Sequence, residues 1–315
     1  MQLPLSFETL RRAAPRATLH VAMLAASLCT ALSASAATLD RIRDSGRIRF
    51  GYLTEARPFS FRVGDGAPDG YSIAICKHLA EQLQRDLALP GLTVEWVPVD
   101  VAERFTEVQQ GKIDLLCAPA TETVSRRKET SFSIPIFASG NRAAVRADAP
   151  PQLRNALMES RPVKPVWRGT PAATVLESTV FAAVTGTTGD KWLAERARSL
   201  QVDAKIVRMK DYTQALQQLR EGKVDVVFGD RVVMLGALQE LDAKTRENVL
   251  ILDRMFTHEP AALALQRGDD DFRALVDRAL SRLYASGDFA ALYSKWVGEF
   301  DERARTFFTW NTLPE

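Results

Sequence analysis

The sequence predicts an α/β protein built as two similar lobes, and three observations carry that reading. From Thr38 onward, short β-branched or aromatic runs alternate with amphipathic helical stretches. One unit occurs twice: Gln109-Gln110-Gly111-Lys112-Ile113-Asp114-Leu115-Leu116 and Leu219-Arg220-Glu221-Gly222-Lys223-Val224-Asp225-Val226, each a helix end, a Gly-Lys pair and a strand. The 315 residues are long for one compact core and natural for two. Two similar lobes imply a cleft between them.

In order along the chain, residues 48–53 read as a strand. Residues 73–87 read as a helix with Ile73, Ile75, Cys76, Leu79, Ala80, Leu83 and Leu87 on one face. Residues 94–97 form a strand, 105–108 belong to a short helix stopped at Gly111, and 113–117 form a third strand. The stretch 148–177 is richer in proline and lacks a clean period, so it reads as an irregular surface insertion. The second lobe repeats the grammar. Its strands are 180–184, 204–207 and 224–228, the last closing on Gly229-Asp230, and its helices are 191–200 and 212–220. Segments 142–145 and 262–265 read as the connections by which the chain leaves the first lobe and returns. Helices at 272–284 and 289–296 then rejoin it. The expected division is 37–141 plus 262–315 for lobe 1, with 142–261 inserted as lobe 2.

The N-terminus has its own logic. Arg11, Arg12 and Arg16 precede an apolar run over about 21–32, and Ala34-Ser35-Ala36 offers a small-residue cleavage site, so residues 1–36 read as a cleaved signal peptide. The run falls short of the ~20 apolar residues that span a bilayer. Arg11-Arg12 leaves the general and twin-arginine export routes both open, while Leu28 before Cys29 argues against lipid attachment. The formal charge of +2 falls to near neutral without the signal, which excludes the electrostatic footprint of a nucleic-acid binder. Cys76 and Cys117 remain, and in an exported protein the pair reads as a disulfide. The alternative is a cysteine nucleophile working with His78 or His258, for which no motif is present. The three histidines lack ligand spacing, so neither a metal nor another cofactor is expected.

Chemistry concentrates where the strand at Asp114-Leu115-Leu116-Cys117 runs into Ala118-Pro119-Ala120-Thr121-Glu122-Thr123-Val124-Ser125-Arg126-Arg127. Small hydroxyl donors and a fixed cation there suit a small carboxylate, which arginine's planar fork meets bidentately. Further along, Gly186-Thr187-Thr188 opens a helix, whose first N–H groups favour an anion.

These runs, with Arg57-Pro58-Phe59-Ser60-Phe61, Gly70-Tyr71-Ser72-Ile73, the two Gly-Lys-x-Asp units, Gly229-Asp230, Ser286-Gly287-Asp288, Leu292-Tyr293 and Lys295-Trp296, resemble in order the family-3 bacterial extracellular solute-binding proteins, over residues 38–298. Those are periplasmic receptors of polar-amino-acid ABC transporters. The resemblance implies a two-lobed periplasmic-binding-protein fold, hinged and type II-like, each lobe a mixed sheet flanked by helices. It implies a periplasmic monomer that closes on an amino acid, performs no catalysis and delivers its ligand to a membrane ABC permease.

Carried over by position, the resemblance gives Arg126 the ligand α-carboxylate and Thr121 a supporting hydroxyl and N–H. The Pro119 carbonyl, where the family usually has glycine, would accept from the α-ammonium. Thr187 and Thr188 would offer N–H groups, Asp230 would pair with the ammonium, and Phe59 completes the expected binding set. Arg127 reads as a solvated neighbour.

Departures bear on the ligand. Positions that in many relatives hold aromatics are Ala56 and Val101, and an aspartate of some relatives is Leu53. Arg104, with Arg57 nearby, stands where dicarboxylate-binding relatives carry an arginine, which leans toward an acidic ligand; an exposed helix arginine is the other reading. Two other functions fit the scaffold. One is a cyclohexadienyl-type dehydratase, with Glu55 or Glu122 as its acid; the other is a ligand-sensing adaptor.

Overall fold

The computed structural model of the chain describes residues 38–158 and 171–314, so the signal peptide expected over 1–36 lies outside the described residues. The first part of the chain comprises α1 (Thr38–Ser45), β1 (Arg47–Tyr52), β2 (Glu55–Ala56), β3 (Ser60–Phe61), α2 (Tyr71–Asp86), β4 (Thr93–Pro98), α3 (Arg104–Gln109), β5 (Leu115–Thr121), β6 (Thr130–Phe132) and β7 (Phe137–Ser139). The middle holds β8 (Asn141–Arg146), α4 (Pro151–Met158), α5 (Pro171–Ser178), β9 (Val180–Val184), α6 (Thr188–Leu200), β10 (Lys205–Met209), α7 (Tyr212–Arg220), β11 (Val226–Asp230), α8 (Arg231–Gln239), α9 (Ala243–Asn248) and β12 (Val249–Ile251). The chain ends with β13 (Glu259–Gln266), α10 (Asp270–Ala285), α11 (Phe289–Trp296) and α12 (Glu302–Asn311).

Two sheets organise these elements. One runs β4-β1-β5-β13-β6, with β7 also paired to β13; the other runs β10-β9-β11-β8-β12. In each, three parallel strands are followed by an antiparallel one, β13 in the first and β8 in the second. Helices cover both faces of the parallel part, which is why Leu115, Leu116, Cys117 and Ala118 form an unbroken apolar run with no exposure. The predicted face of α2 is buried as drawn, from Ile73 to Leu83. Cys76 on α2 is bonded to Cys117 on β5 across 6.1 Å between Cα atoms. The loop of about 41 residues it closes corresponds to ~4 kcal/mol of chain entropy.

The repeated Gly-Lys-x-Asp unit does the same mechanical task in both lobes. Gly111 and Gly222 stand at φ +65° and +72°, the left-handed conformation that ends a helix. Asp114 donates its N–H to Arg49 O at 2.8 Å and accepts from Arg49 N at 2.8 Å. Asp225 donates to Val180 O at 2.8 Å and accepts from Val180 N at 2.9 Å. Each aspartate thus pins its strand to the start of the preceding parallel strand. Asp114 is fully buried and also takes Arg41 at 2.7 Å and Arg49 at 2.9 Å.

The chain passes between the sheets twice, at Gly140 between β7 and β8, and over residues 252–258 before β13. The passages touch: a Cβ on Gly140 would sit 2.2 Å from Thr257 O, so no side chain fits there.

Three features differ from the sequence reading. Within 148–177, the described residues 148–158 and 171–177 are not irregular: they carry α4 and most of α5, and Leu153 and Leu157 are buried in the second lobe. Both helices begin on a proline, the one helical position where its missing N–H is harmless. The strand expected to end at Cys117 continues through Pro119 to Thr121. The register with β13 shifts between Ala262 and Ala264 beside it, an irregularity of the kind that tolerates a residue without an N–H. Finally, α12 adds a C-terminal helix capped by Asp301 at 2.8 Å from Ala304 N. Its Phe308 ring packs 4.6 Å from Phe289 and 4.8 Å from Tyr284.

The two aspartates should differ in weight. Asp114→Ala strands two arginines and should lower the urea unfolding free energy by about 3 kcal/mol. Asp225→Ala, at a carboxylate that is 30% exposed, should lower it by about 1 kcal/mol.

Candidate ligand-binding site

A cavity of about 430 Å³ lies between the lobes, and all eight residues expected to bind ligand stand on its wall. Phe59, Arg104, Pro119, Thr121 and Arg126 come from the first lobe; Thr187, Thr188 and Asp230 come from the second. Phe59 is fully buried against Phe137 at 5.0 Å and Tyr71 at 5.9 Å, so it is a rigid floor.

The first lobe supplies the cations. Arg126 donates to Thr121 O at 2.7 Å and to Gly186 O of the facing lobe at 3.0 Å. Arg104 donates to Val101 O and, at 3.2 Å, to the same Gly186 O. Arg104 is only 4% exposed and its Nε has no partner among the described residues, so the exposed-helix reading does not hold. Both guanidinium carbons lie 4.6 Å from the centroid of the Phe105 ring. Burial, aided by the charge of Arg126, lowers the Arg104 pKa to about 9. Burial lowers that of Arg126 to about 10, against the opposing pull of Glu259. Both are charged at neutral pH, and neither forms an ion pair with a described residue.

The neighbours have other partners. Arg57 reaches Glu240 of the second lobe at 2.7 Å and stacks 3.6 Å over Phe61, off the cavity wall. Arg127 is 67% exposed and pairs with Glu122 at 2.6 Å; Glu122 is likewise off the wall.

The second lobe supplies a helix start and carboxylates. Thr187 caps α6, its Oγ1 accepting from Asp190 N at 3.2 Å, while its own N–H donates to Val184 O at 3.2 Å. The turn therefore occupies the Thr187 N–H, and the first-turn donor on the cavity wall is that of Thr188. Asp230 is both cap and wall. Its Oδ1 accepts from Val232 N at 2.8 Å and Val233 N at 3.0 Å, and its Oδ2 accepts from Ser139 Oγ at 2.5 Å. Burial raises its carboxyl above the ordinary value, and those hydrogen bonds pull it back.

Glu259 and the Glu55–Asp211 contact escaped the sequence reading, which offered Glu55 only as a dehydratase's acid. Glu259 on the wall accepts from Asn141 Nδ2 at 2.7 Å and Thr188 Oγ1 at 2.6 Å, tying the start of β13 to α6 and β8. Glu55 of the first lobe meets Asp211 of the second at the cavity's edge, with Lys210 beside them. Burial raises the Glu55 carboxyl, and the charge of Asp211 and a hydrogen bond to it raise it further; Lys210 opposes. The only sequence signal for either was an acidic residue flanking a predicted strand.

This geometry, two lobes on double crossings around one polar cavity, defines a hinged receptor for a small charged solute. Residues 48–299 match the bacterial extracellular solute-binding proteins of family 3, and the chain belongs to that family. It is 26% identical over 260 residues to an L-glutamate/L-aspartate-binding protein of Pseudomonas aeruginosa, covering 82% of this chain and 79% of that one. It is 25% identical over 263 residues to an ABC transporter glutamine-binding protein of Bacillus subtilis, covering 83% and 85%. Among solved structures, an ancestral amino acid-binding protein described as a precursor of cyclohexadienyl dehydratase aligns with a TM-score of 0.66 at 26% identity, covering 83% of this chain and all of that one. A solute receptor for L-cysteine of Neisseria gonorrhoeae aligns with a TM-score of 0.67 at 21% identity, covering 84% and 96%, which is a likeness of fold. Among the described residues, no helix is long and apolar enough to cross a membrane and no acidic, cysteine or histidine cluster could hold a metal ion.

The Glu55–Asp211 contact makes lobe closure sensitive to pH. Closing brings two carboxyls together and raises the Glu55 pKa, so the closed form holds a proton that the parted form releases. Closure is favoured below the ordinary glutamate value and loses that contribution as pH rises through the raised one. Small-angle scattering should show the radius of gyration increasing from pH 4 to pH 7, with Glu55→Gln flattening the dependence.

Proposed function

We propose that the protein captures a dicarboxylic amino acid of the glutamate or aspartate class outside the cytoplasm by hinge closure. It then hands the ligand to a membrane ABC permease, acting as a periplasmic monomer after loss of residues 1–36. One observation carries the ligand class: Arg104, buried, and Arg126, half-buried, share one cavity wall and neither forms an ion pair with a carboxylate among the described residues. Sheltering an uncompensated cation is costly, and sheltering two side by side is worse. A ligand with two carboxylates neutralises both. Arg126 takes the α-carboxylate with Thr121 and the Thr188 N–H, and Arg104 takes the second. Asp230, Glu259 and the Pro119 carbonyl face the ammonium. A relative that binds L-glutamate and L-aspartate supports the same class.

Catalysis has less support. Glu122 is paired with Arg127 away from the cavity, and the dehydratase-related likeness is to an amino acid-binding precursor. Glu55, held toward its protonated form on the wall, is the one of the two candidate acids that would serve a dehydratase. Turnover of a cyclohexadienyl substrate that disappears in Glu55→Gln would favour that second reading.

Titration calorimetry tests the ligand. L-Glutamate or L-aspartate should bind and, at 100 times its Kd, stabilise the fold by ~2.7 kcal/mol. Arg126→Ala should weaken binding by ~30-fold or more. Arg104→Gln should weaken L-glutamate far more than L-glutamine; equal effects on the two would refute the dicarboxylate assignment.

A further inference from the structure

Arg104 and Arg126 share a neighbour that stands behind the cavity wall. Phe105 is absent from the wall, yet its ring centroid lies 4.6 Å from the guanidinium carbon of Arg104 and 4.6 Å from that of Arg126. The ring is itself anchored: α3 buries Val108 completely, and Phe132 meets Phe105 edge-on at 6.3 Å and 62°. The hydrogen bonds of the two guanidiniums go to backbone carbonyls, those of Val101, Thr121 and Gly186.

We infer that Phe105 is a positioning residue for ligand recognition, its π-face holding the Arg104 and Arg126 guanidiniums side by side so that one ligand meets both. Two like charges in a sheltered wall repel and would swing apart toward water. Burial weakens the hold on both protons, and for Arg104 the neighbouring charge adds to it. An aromatic face is negative by its quadrupole and attracts a cation within ~6 Å of its centroid, more strongly where water is excluded. A carboxylate in the same place would neutralise the cations and remove their reason to bind an anion. A ring steadies them and leaves their charge available to the ligand. The inference rests on the dicarboxylate reading for the identity of the ligand and on the two cation–ring contacts for the role of Phe105.

Progressive fluorination separates this role from plain packing, because fluorine drains the ring's quadrupole while nearly keeping its shape. Phe105 is replaced by mono-, di- and trifluorophenylalanine in the full mature protein, beside Phe105→Leu and Phe105→Trp. L-Glutamate and L-glutamine serve as probes. The expected result is a stepwise loss of L-glutamate affinity, about tenfold across the series, with Phe105→Leu at the weak end and Phe105→Trp near wild type. L-Glutamine should lose less, and the melting temperature without ligand should stay level across the fluorinated series. In the same ligand-free samples, the Nε–H protons of Arg104 and Arg126 should exchange faster with each added fluorine. Affinity and exchange both flat along the series would overturn the inference even if Arg126→Ala abolishes binding, which would leave the dicarboxylate reading standing. Failure of wild type to bind L-glutamate sinks the dicarboxylate reading instead, and the exchange series then decides the role of Phe105 alone.

Discussion

The structure depends on positive charge kept in a place that disfavours it. Arg104, 4% exposed, and Arg126 both turn into the cavity between the lobes and both reach the Gly186 carbonyl across it. Everything nearby is arranged around holding that charge without cancelling it. Thr121 and Val101 offer carbonyls, Phe105 offers a ring, and Glu259, the acidic wall residue whose charge reaches Arg126, is engaged by Asn141 and Thr188. A surface arginine would be neutralised by water and discriminate little. Here the hydrogen bonds of both cations go to carbonyl partial charges, so a full negative charge arriving in the cavity has much to gain.

Rigidity behind the site makes that arrangement durable. Within eight residues, Asp114 to Thr121, the chain pins its strand to β1, bonds to α2 through Cys117 and ends at the carbonyl that holds Arg126. The second lobe repeats the pin at Asp225 with no disulfide, and its strand β11 ends on Asp230, cap of α8 and wall of the cavity. Positioning in both lobes therefore comes from strand ends, where backbone geometry is fixed by the sheet, and not from long loops.

What the sequence disclosed was local, and what it hid was long-range. All eight expected binding residues reached one cavity because each sits at a strand end or helix start that short-range patterns mark. Strand limits failed where proline was taken only as a breaker; at Pro151 and Pro171 it starts helices, and at Pro119 it lies beside a register shift. Arg57 looked available for the ligand, but its partner Glu240 lies 183 positions away and only folding brings them to 2.7 Å. Glu259 was missed for a related reason: its strand begins three residues before the apolar run that announces it, and its partners Asn141 and Thr188 are remote in sequence. Nothing in the order of residues distinguishes an exposed Arg104 from a buried one, since that depends on the facing Gly186 loop.

The contact between the two crossings has a mechanical consequence. With Gly140 lying against the Thr257 carbonyl, neither connection can flex while the other stays still. Two parallel springs joined at their midpoints behave as one, so the lobes gain a single axis of rotation where independent linkers would have allowed twisting and shear as well. A methyl group at position 140 would wedge that axis itself, altering how far the jaws travel.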